Sequence, residues 1–196
     1  MADTADPALA DDAPLAASKH ESAATQAAIE SGMEKGDTLV GRAVTINRPR
    51  DELFAYWRDF SNLATFMENV QRIEVLDDRR SHWVVKAPGG KTVEWDAAIT
   101  EAVHGSLIAW ASQEGAEVPN SGRVEFQDAG ARGTVVSVVI LYDPPAGFIG
   151  RTVAKMFQRE PAIQARRELR RFKQLMETGE IATSARTRKQ LDEEKA

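Results

Sequence analysis

Seven apolar side chains near the C-terminus, Val153, Met156, Phe157, Ala165, Leu169, Phe172 and Met176, recur at steps of three and four with one break near Pro161. That spacing predicts an amphipathic helix over residues 147–177 whose stripe must lie on another element. Pro161 lacks an N–H and its ring meets the carbonyl of residue 157, so helical continuity is expected to fail there. Upstream, from about residue 39 to residue 142, the chain reads as strands. The economical architecture is an antiparallel sheet curled around this helix.

The apolar residues that build such a core are unevenly placed. They make up 42% of the chain, yet the first 36 residues contain no Phe, Trp or Tyr, whereas all four Trp lie between Trp57 and Trp110. Residues 1–37 are therefore expected to be a disordered Ala/Asp-rich tail, residues 38–178 the folded domain, and residues 179–196 a disordered charged tail. Of the net charge of −5, residues 1–36 contribute −5, seven acidic side chains against Lys19 and Lys35. The folded part is then near neutral, which gives no electrostatic reason to expect nucleic acid. There is no cysteine for a disulfide, a thiolate nucleophile or a metal site. The acidic N-terminus has no signal-peptide character, and no apolar run reaches the roughly 18 residues of a membrane helix. A soluble, cytoplasmic protein is expected.

Turn signals divide the middle of the chain. A first strand over 38–47 carries Val40, Val44 and Ile46 on one face, with Arg42 interrupting it. Pro49, Asp51 and Glu52 suit a helix start, predicting short helices over 50–58 and 62–67. Strands are expected over 70–76, 82–87, 92–103, 107–112, 122–127 and 134–142, separated by turns such as Asp77-Asp78, His104-Gly105 and Asp128-Ala129-Gly130. One strand, two short helices, six strands and one long helix make an α+β pattern in which the helix covers one face of an antiparallel sheet of about seven strands.

Alternation assigns the faces. Val93, Trp95, Ala97 and Ile99 oppose Glu94, Asp96 and Thr100. Trp83 and Val85 oppose His82 and Lys86, and Val124 and Phe126 oppose Arg123 and Glu125. Trp83, Trp95 and Trp110 thus share the inner face of three successive strands. Two readings stay open for them, solid core and the wall of a cavity.

Catalytic chemistry is hard to find. Of the histidines, His20 is in the tail, His82 points outward and His104 sits in a turn. No catalytic residue, metal site, nucleophile elbow or phosphate loop is assigned, and no cofactor is expected. The basic stripe Arg151, Lys155, Arg159, Arg166, Arg167, Arg170, Arg171 and Lys173 reads either as a solvated face or as a weak contact for anionic headgroups or an acidic partner.

The segment LFAYWRDFSNLATFMENVQRIEVLDD, the strands HWVVK and VEWDAAIT, then IAW, NSGRVEF and LYDPPAGFIG before a basic amphipathic helix, together resemble the bacterial polyketide cyclase/dehydrase-type members of the START-like (SRPBCC) superfamily. The resemblance spans roughly residues 38–178. It implies a helix-grip fold around an apolar cavity. The lining it implies is Trp83, Trp95, Trp110, Phe126 and Tyr142 from the sheet and Met156, Phe157 and Leu169 from the helix, with Phe66 and Met67 near the mouth. Cyclases of this kind place polar side chains inside the cavity, and here only Tyr142 and the indole N–H groups are expected there. The first expectation is therefore binding or carriage of a small hydrophobic molecule, polyketide-, quinone- or lipid-like. A cyclase/dehydratase using the same cavity is the alternative, and a protein-interaction module working through the basic helix and tails is a third. Oligomeric state stays open.

Overall fold

The computed structural model describes residues 38–87, 90–142 and 161–182. Strand β1 (Thr38–Ile46) buries Val44 and Ile46, one parity of its alternation. Pro49, at φ −60°, precedes helix α1 (Arg50–Arg58), whose first turn carries Asp51 and Glu52 and whose last carries Arg58, charges that suit the two ends of the helix dipole. Leu53, Phe54 and Trp57 form its buried face. Asp59 then starts a 3-10 helix (Phe60–Thr65), its Oδ1 accepting from the Ser61 N–H at 3.1 Å and from the Ser61 hydroxyl at 2.6 Å.

Six strands follow: β2 (Val70–Val75), β3 (Arg80–Ala87), β4 (Lys91–Val103), β5 (Leu107–Ser112), β6 (Asn120–Asp128) and β7 (Thr134–Tyr142). Every neighbouring pair is antiparallel, in the order β1-β7-β6-β5-β4-β3-β2. The first strand thus closes beside the last one. The β2–β3 turn is held by Asp77, whose Oδ1 accepts from the Arg79 and Arg80 N–H groups and whose Oδ2 accepts from Arg80 Nε at 2.6 Å. Those bonds, the backbone ones foremost, hold its carboxyl down at about 2.

Helix α2 (Pro161–Thr178) crosses the curled sheet and packs chiefly on β1. Its described part opens at Pro161, and the expected break just before it falls among residues 143–160, outside the described residues. Leu169 and Phe172 are buried, with Leu175 and Met176 packed beside them. Its C-terminus and its middle are tied to the rest of the fold. Arg48 donates from Nε to the Met176 carbonyl at 2.6 Å and from Nη2 to the Glu177 carbonyl at 3.0 Å, while Glu177 Oε1 accepts from the Asn47 N–H at 2.7 Å. Arg171 donates from Nε to the Phe66 carbonyl at 2.8 Å.

The core lies between the inner face of the sheet and these helices. Trp57 is its hub, with ring centroids 5.4 Å from Phe66, 5.1 Å from Phe172 and 6.3 Å from Phe126. Strand β7 is buried on both faces, Val136 and Val138 on one and Val135, Val139 and Leu141 on the other.

Gly122 of β6 stands opposite Trp110 of β5, and a Cβ built there would overlap the Cζ2 edge of the indole. The ring occupies the space that a side chain would take. Gly122→Ala is expected to displace Trp110 and cost about 1–3 kcal/mol, the usual penalty of overpacking. Denaturant titration with indole N–H NMR checks this; an unshifted Trp110 signal at unchanged stability contradicts it.

Candidate functional site

Because the described part of α2 rests mainly on β1, part of the inner face of β3, β4 and β5 is left uncovered among the described residues. A cavity of about 110 Å³ opens there, where about 10–15 Å³ suffices for one water. Trp83 and Val85, Trp95 and Trp110 line it from those strands, and Ile140 from β7. Met67, Asn69 and Val70 approach from the start of β2, and Val118 and Asn120 from the segment before β6. Gln164 and Glu168 complete it from α2.

The indoles are fixed by different means. Trp83 donates from Nε1 to the Ser81 hydroxyl at 2.9 Å and stacks on Trp95, with centroids 6.0 Å apart and planes 11° from parallel. Phe60 of the 3-10 helix meets Trp83 and Trp110 edge-on at 5.7 and 5.9 Å. Trp95 stays partly exposed, whereas Trp83 and Trp110 are buried.

Of the residues expected at the cavity, Trp83, Trp95, Trp110 and Met67 are brought together around it. Phe66, Phe126 and Leu169 are not among the described lining. They fill solid core instead, Phe66 against Trp57 and Phe172, Phe126 against Phe54 and Trp57, and Leu169 beside them. The reason is that α1 and the 3-10 helix cover that half of the inner face. The Tyr142 side chain, Met156 and Phe157 lie outside the described residues.

The polar group that sequence reasoning missed is Glu168. It lines the cavity; the residue as a whole is only half-buried, its exposed part lying away from a carboxyl that is set among protein atoms. Burial, reinforced by the nearby negative charge of Glu68, pushes it up to about 7, against the opposing effects of a hydrogen bond from Gln164 and the charge of Arg171. Gln164 Nε2 donates to Glu168 Oε1 at 3.1 Å. Arg171 is held elsewhere, on the Phe66 carbonyl and on Glu68 Oε1 at 3.3 Å. Glu68 also meets Arg167 at 3.5 Å, so two cations of the basic stripe face this acid. Arg151, Lys155 and Arg159 lie outside the described residues.

The outer face carries a second cluster. His82 Nδ1 lies 2.7 Å from Asp96 Oδ1 and Nε2 lies 3.5 Å from Glu94 Oε2. The Asp96 hydrogen bond leads in raising the imidazole above its ordinary value of 6.5. Its contribution to stability is complete below that value and is lost as pH rises through the raised one. His104 packs on Phe54 with centroids 5.2 Å apart. Arg42, on the inner parity of β1, is held below the usual arginine range by burial and by the Arg166 charge. Among the described residues no cluster of three or more His, Asp or Glu could hold a metal ion. No described helix is long and apolar enough to cross a membrane.

Glu168 makes stability depend on pH in a definite direction. Its folded value of about 7 lies above the ordinary 4.5, so between the two the native state holds the extra proton. Stability from this group is complete below 4.5 and falls by about 1.4 kcal/mol per pH unit across the window, on the order of 3 kcal/mol in all. Glu168→Gln, which cannot ionise, is expected to flatten that fall and to exceed the wild type in stability at about pH 8. Denaturant titrations of both proteins across the window test this; parallel curves contradict it.

Comparison with known proteins places this geometry in context. The family described as "Polyketide cyclase / dehydrase and lipid transport" matches residues 46–170. A solved protein of Deinococcus radiodurans is 43% identical, over 72% of this chain and 99% of that one, at a TM-score of 0.59. An uncharacterised 17.2 kDa protein of Streptomyces lincolnensis is 27% identical over 147 residues, 70% of this chain and 89% of its own length. The Zhui aromatase/cyclase of a Streptomyces species shares the fold at 15% identity and a TM-score of 0.56, over 74% of this chain and 99% of its own. With a seven-stranded antiparallel sheet, a helix packed on it and a family match over residues 46–170, the chain belongs to the polyketide cyclase/dehydrase and lipid transport family.

Proposed function

We propose that this protein binds a small hydrophobic molecule, polyketide-, quinone- or lipid-like, in the cavity between α2 and strands β3–β5. The observation that carries the reading is the wall itself: three indoles, Val85, Val118 and Ile140 surround about 110 Å³ that α2 leaves unfilled. An apolar volume of that size gains from an apolar guest, at about 25 cal/mol per Å² of surface removed from water. The family description, which couples cyclase and lipid-transport members, supports the same reading. Trp83, Trp95, Trp110 and Met67 are its contact residues.

One observation favours a second reading, a cyclase or dehydratase acting in the same cavity. A carboxyl poised at about 7 can both give and take a proton at neutral pH, which is what general acid–base chemistry requires. Native mass spectrometry of protein from its own host separates the two, since carriage leaves the guest chemically unchanged.

Trp95 is the more informative indole to remove, because its partial exposure means that less core is lost. Trp95→Ala is expected to cost distinctly less than the roughly 3–5 kcal/mol of a fully packed tryptophan, while altering the uptake of ethylbenzene followed by indole N–H NMR. A core-sized loss of stability, in a protein whose wild type shows no ethylbenzene shift at any indole, would retire the binding reading.

A further inference from the structure

The cavity has one ionisable wall group among its described lining, and its surroundings decide what that group can recognise. Strands β3, β4, β5 and β7 present only indoles and aliphatic side chains to it. The segments before β2 and β6 add Met67, Asn69, Val118 and Asn120, all uncharged. Glu68 and Arg171 are the charged neighbours that act on Glu168, and they are joined to each other at 3.3 Å. Arg42 and Arg166 face one another on the β1 side of α2. Among the described residues no ion pair to Glu168 is found, and its one described hydrogen bond comes from Gln164 at 3.1 Å, on Oε1. The second carboxyl oxygen has no described partner.

We propose that Glu168 is the ligand-orienting group of the cavity, whose carboxyl O–H donates a hydrogen bond to the carbonyl oxygen of a neutral aromatic ketone or quinone and which turns away carboxylates. This rests on the binding reading above and names the head group of the guest. An anionic guest would set another negative charge beside Glu68 with no cation to meet it among the described lining residues. A cationic amine would oblige both partners to be ionised in an apolar volume, where the loss of hydration offsets their attraction. A carbonyl oxygen needs only the acid's O–H, and the three indoles supply flat apolar contact for the ring that bears it.

The test uses the full chain and four guests of one ring size: acetophenone, ethylbenzene, benzoate and benzylamine, titrated against the indole N–H signals. The carboxyl stands at about 7, so between about pH 5.5 and about pH 8.5 it loses its donor proton. The affinity ratio of acetophenone to ethylbenzene is expected to fall about fivefold over that range, the usual net effect of one hydrogen bond. Benzoate and benzylamine are expected to bind more weakly than acetophenone at the lower pH. Glu168→Gln, an amide that keeps its N–H donor at every pH, should hold the ratio constant and high, and Glu168→Leu should hold it constant and low.

A wild-type ratio that does not change with pH overturns the proposal, as does benzoate or benzylamine binding as tightly as acetophenone. In either case ethylbenzene still binds, so the cavity reading survives. Failure of all four guests to shift any indole would overturn the binding reading and this proposal together.

Discussion

The attachment of α2 to β1 is the constraint from which the site follows. Arg48 ties the helix C-terminus to the turn after β1, and Arg171 ties its middle to the Phe66 carbonyl. Each contact joins a guanidinium to a carbonyl, and bonds of that charged kind contribute about 1.5–3 kcal/mol. A helix held along one side of a curved sheet cannot also fill the other side. The short helices after β1 close part of the remainder with Phe60, Leu63 and Phe66, and the volume that neither covers is the cavity.

The same arrangement sets the electrostatics. Arg171 and Arg167 turn towards Glu68 at the rim, one helical turn or less from Glu168. Had Arg171 faced inward, Glu168 would be an ordinary ion-paired carboxylate with a depressed proton affinity. Because it bonds the Phe66 carbonyl and Glu68, the inner acid is left with an amide for a partner. From there Arg171 still lowers the proton affinity of Glu168, and burial, reinforced by the charge of Glu68, outweighs it.

Much of the fold was legible in the sequence, because alternation and turn chemistry are local. The boundaries read for α1, β5 and β7 coincide with those in the structure, and the inner parity of Trp83, Val93, Ala97, Ile99 and Phe126 holds. The pairing of β1 with β7 was not legible, since nothing local records a contact between strands nearly a hundred residues apart. Parity also says which face a side chain takes but not what covers that face. The resemblance implied Phe126 and Leu169 as cavity lining and Phe66 near its mouth, and all three are packed core. Glu168 was not singled out in the sequence, although it lies three residues after Ala165 and four before Phe172, both on the apolar face. An acid at helical spacing from two core positions, with Gln164 one turn before it, was the available signal.

Trp57 and Glu168 both set polarity against an apolar interior, and they differ in kind. The Trp57 indole N–H is buried with no partner among the described residues, in an aromatic cluster with Phe66 and Phe172. Its cost, about 1–3 kcal/mol, is offset by one of the largest apolar surfaces in the core. Glu168 has no such compensation. Leucine there would keep the apolar stem and remove a charge that lowers stability by on the order of 3 kcal/mol above neutral pH. A sequence that agrees with its fold at nearly every other inner position departs from it at the cavity wall. Departures of that kind are expected where chemistry rather than stability selects the side chain. The Trp57 orphan belongs to packing, and the carboxyl belongs to whatever enters the cavity.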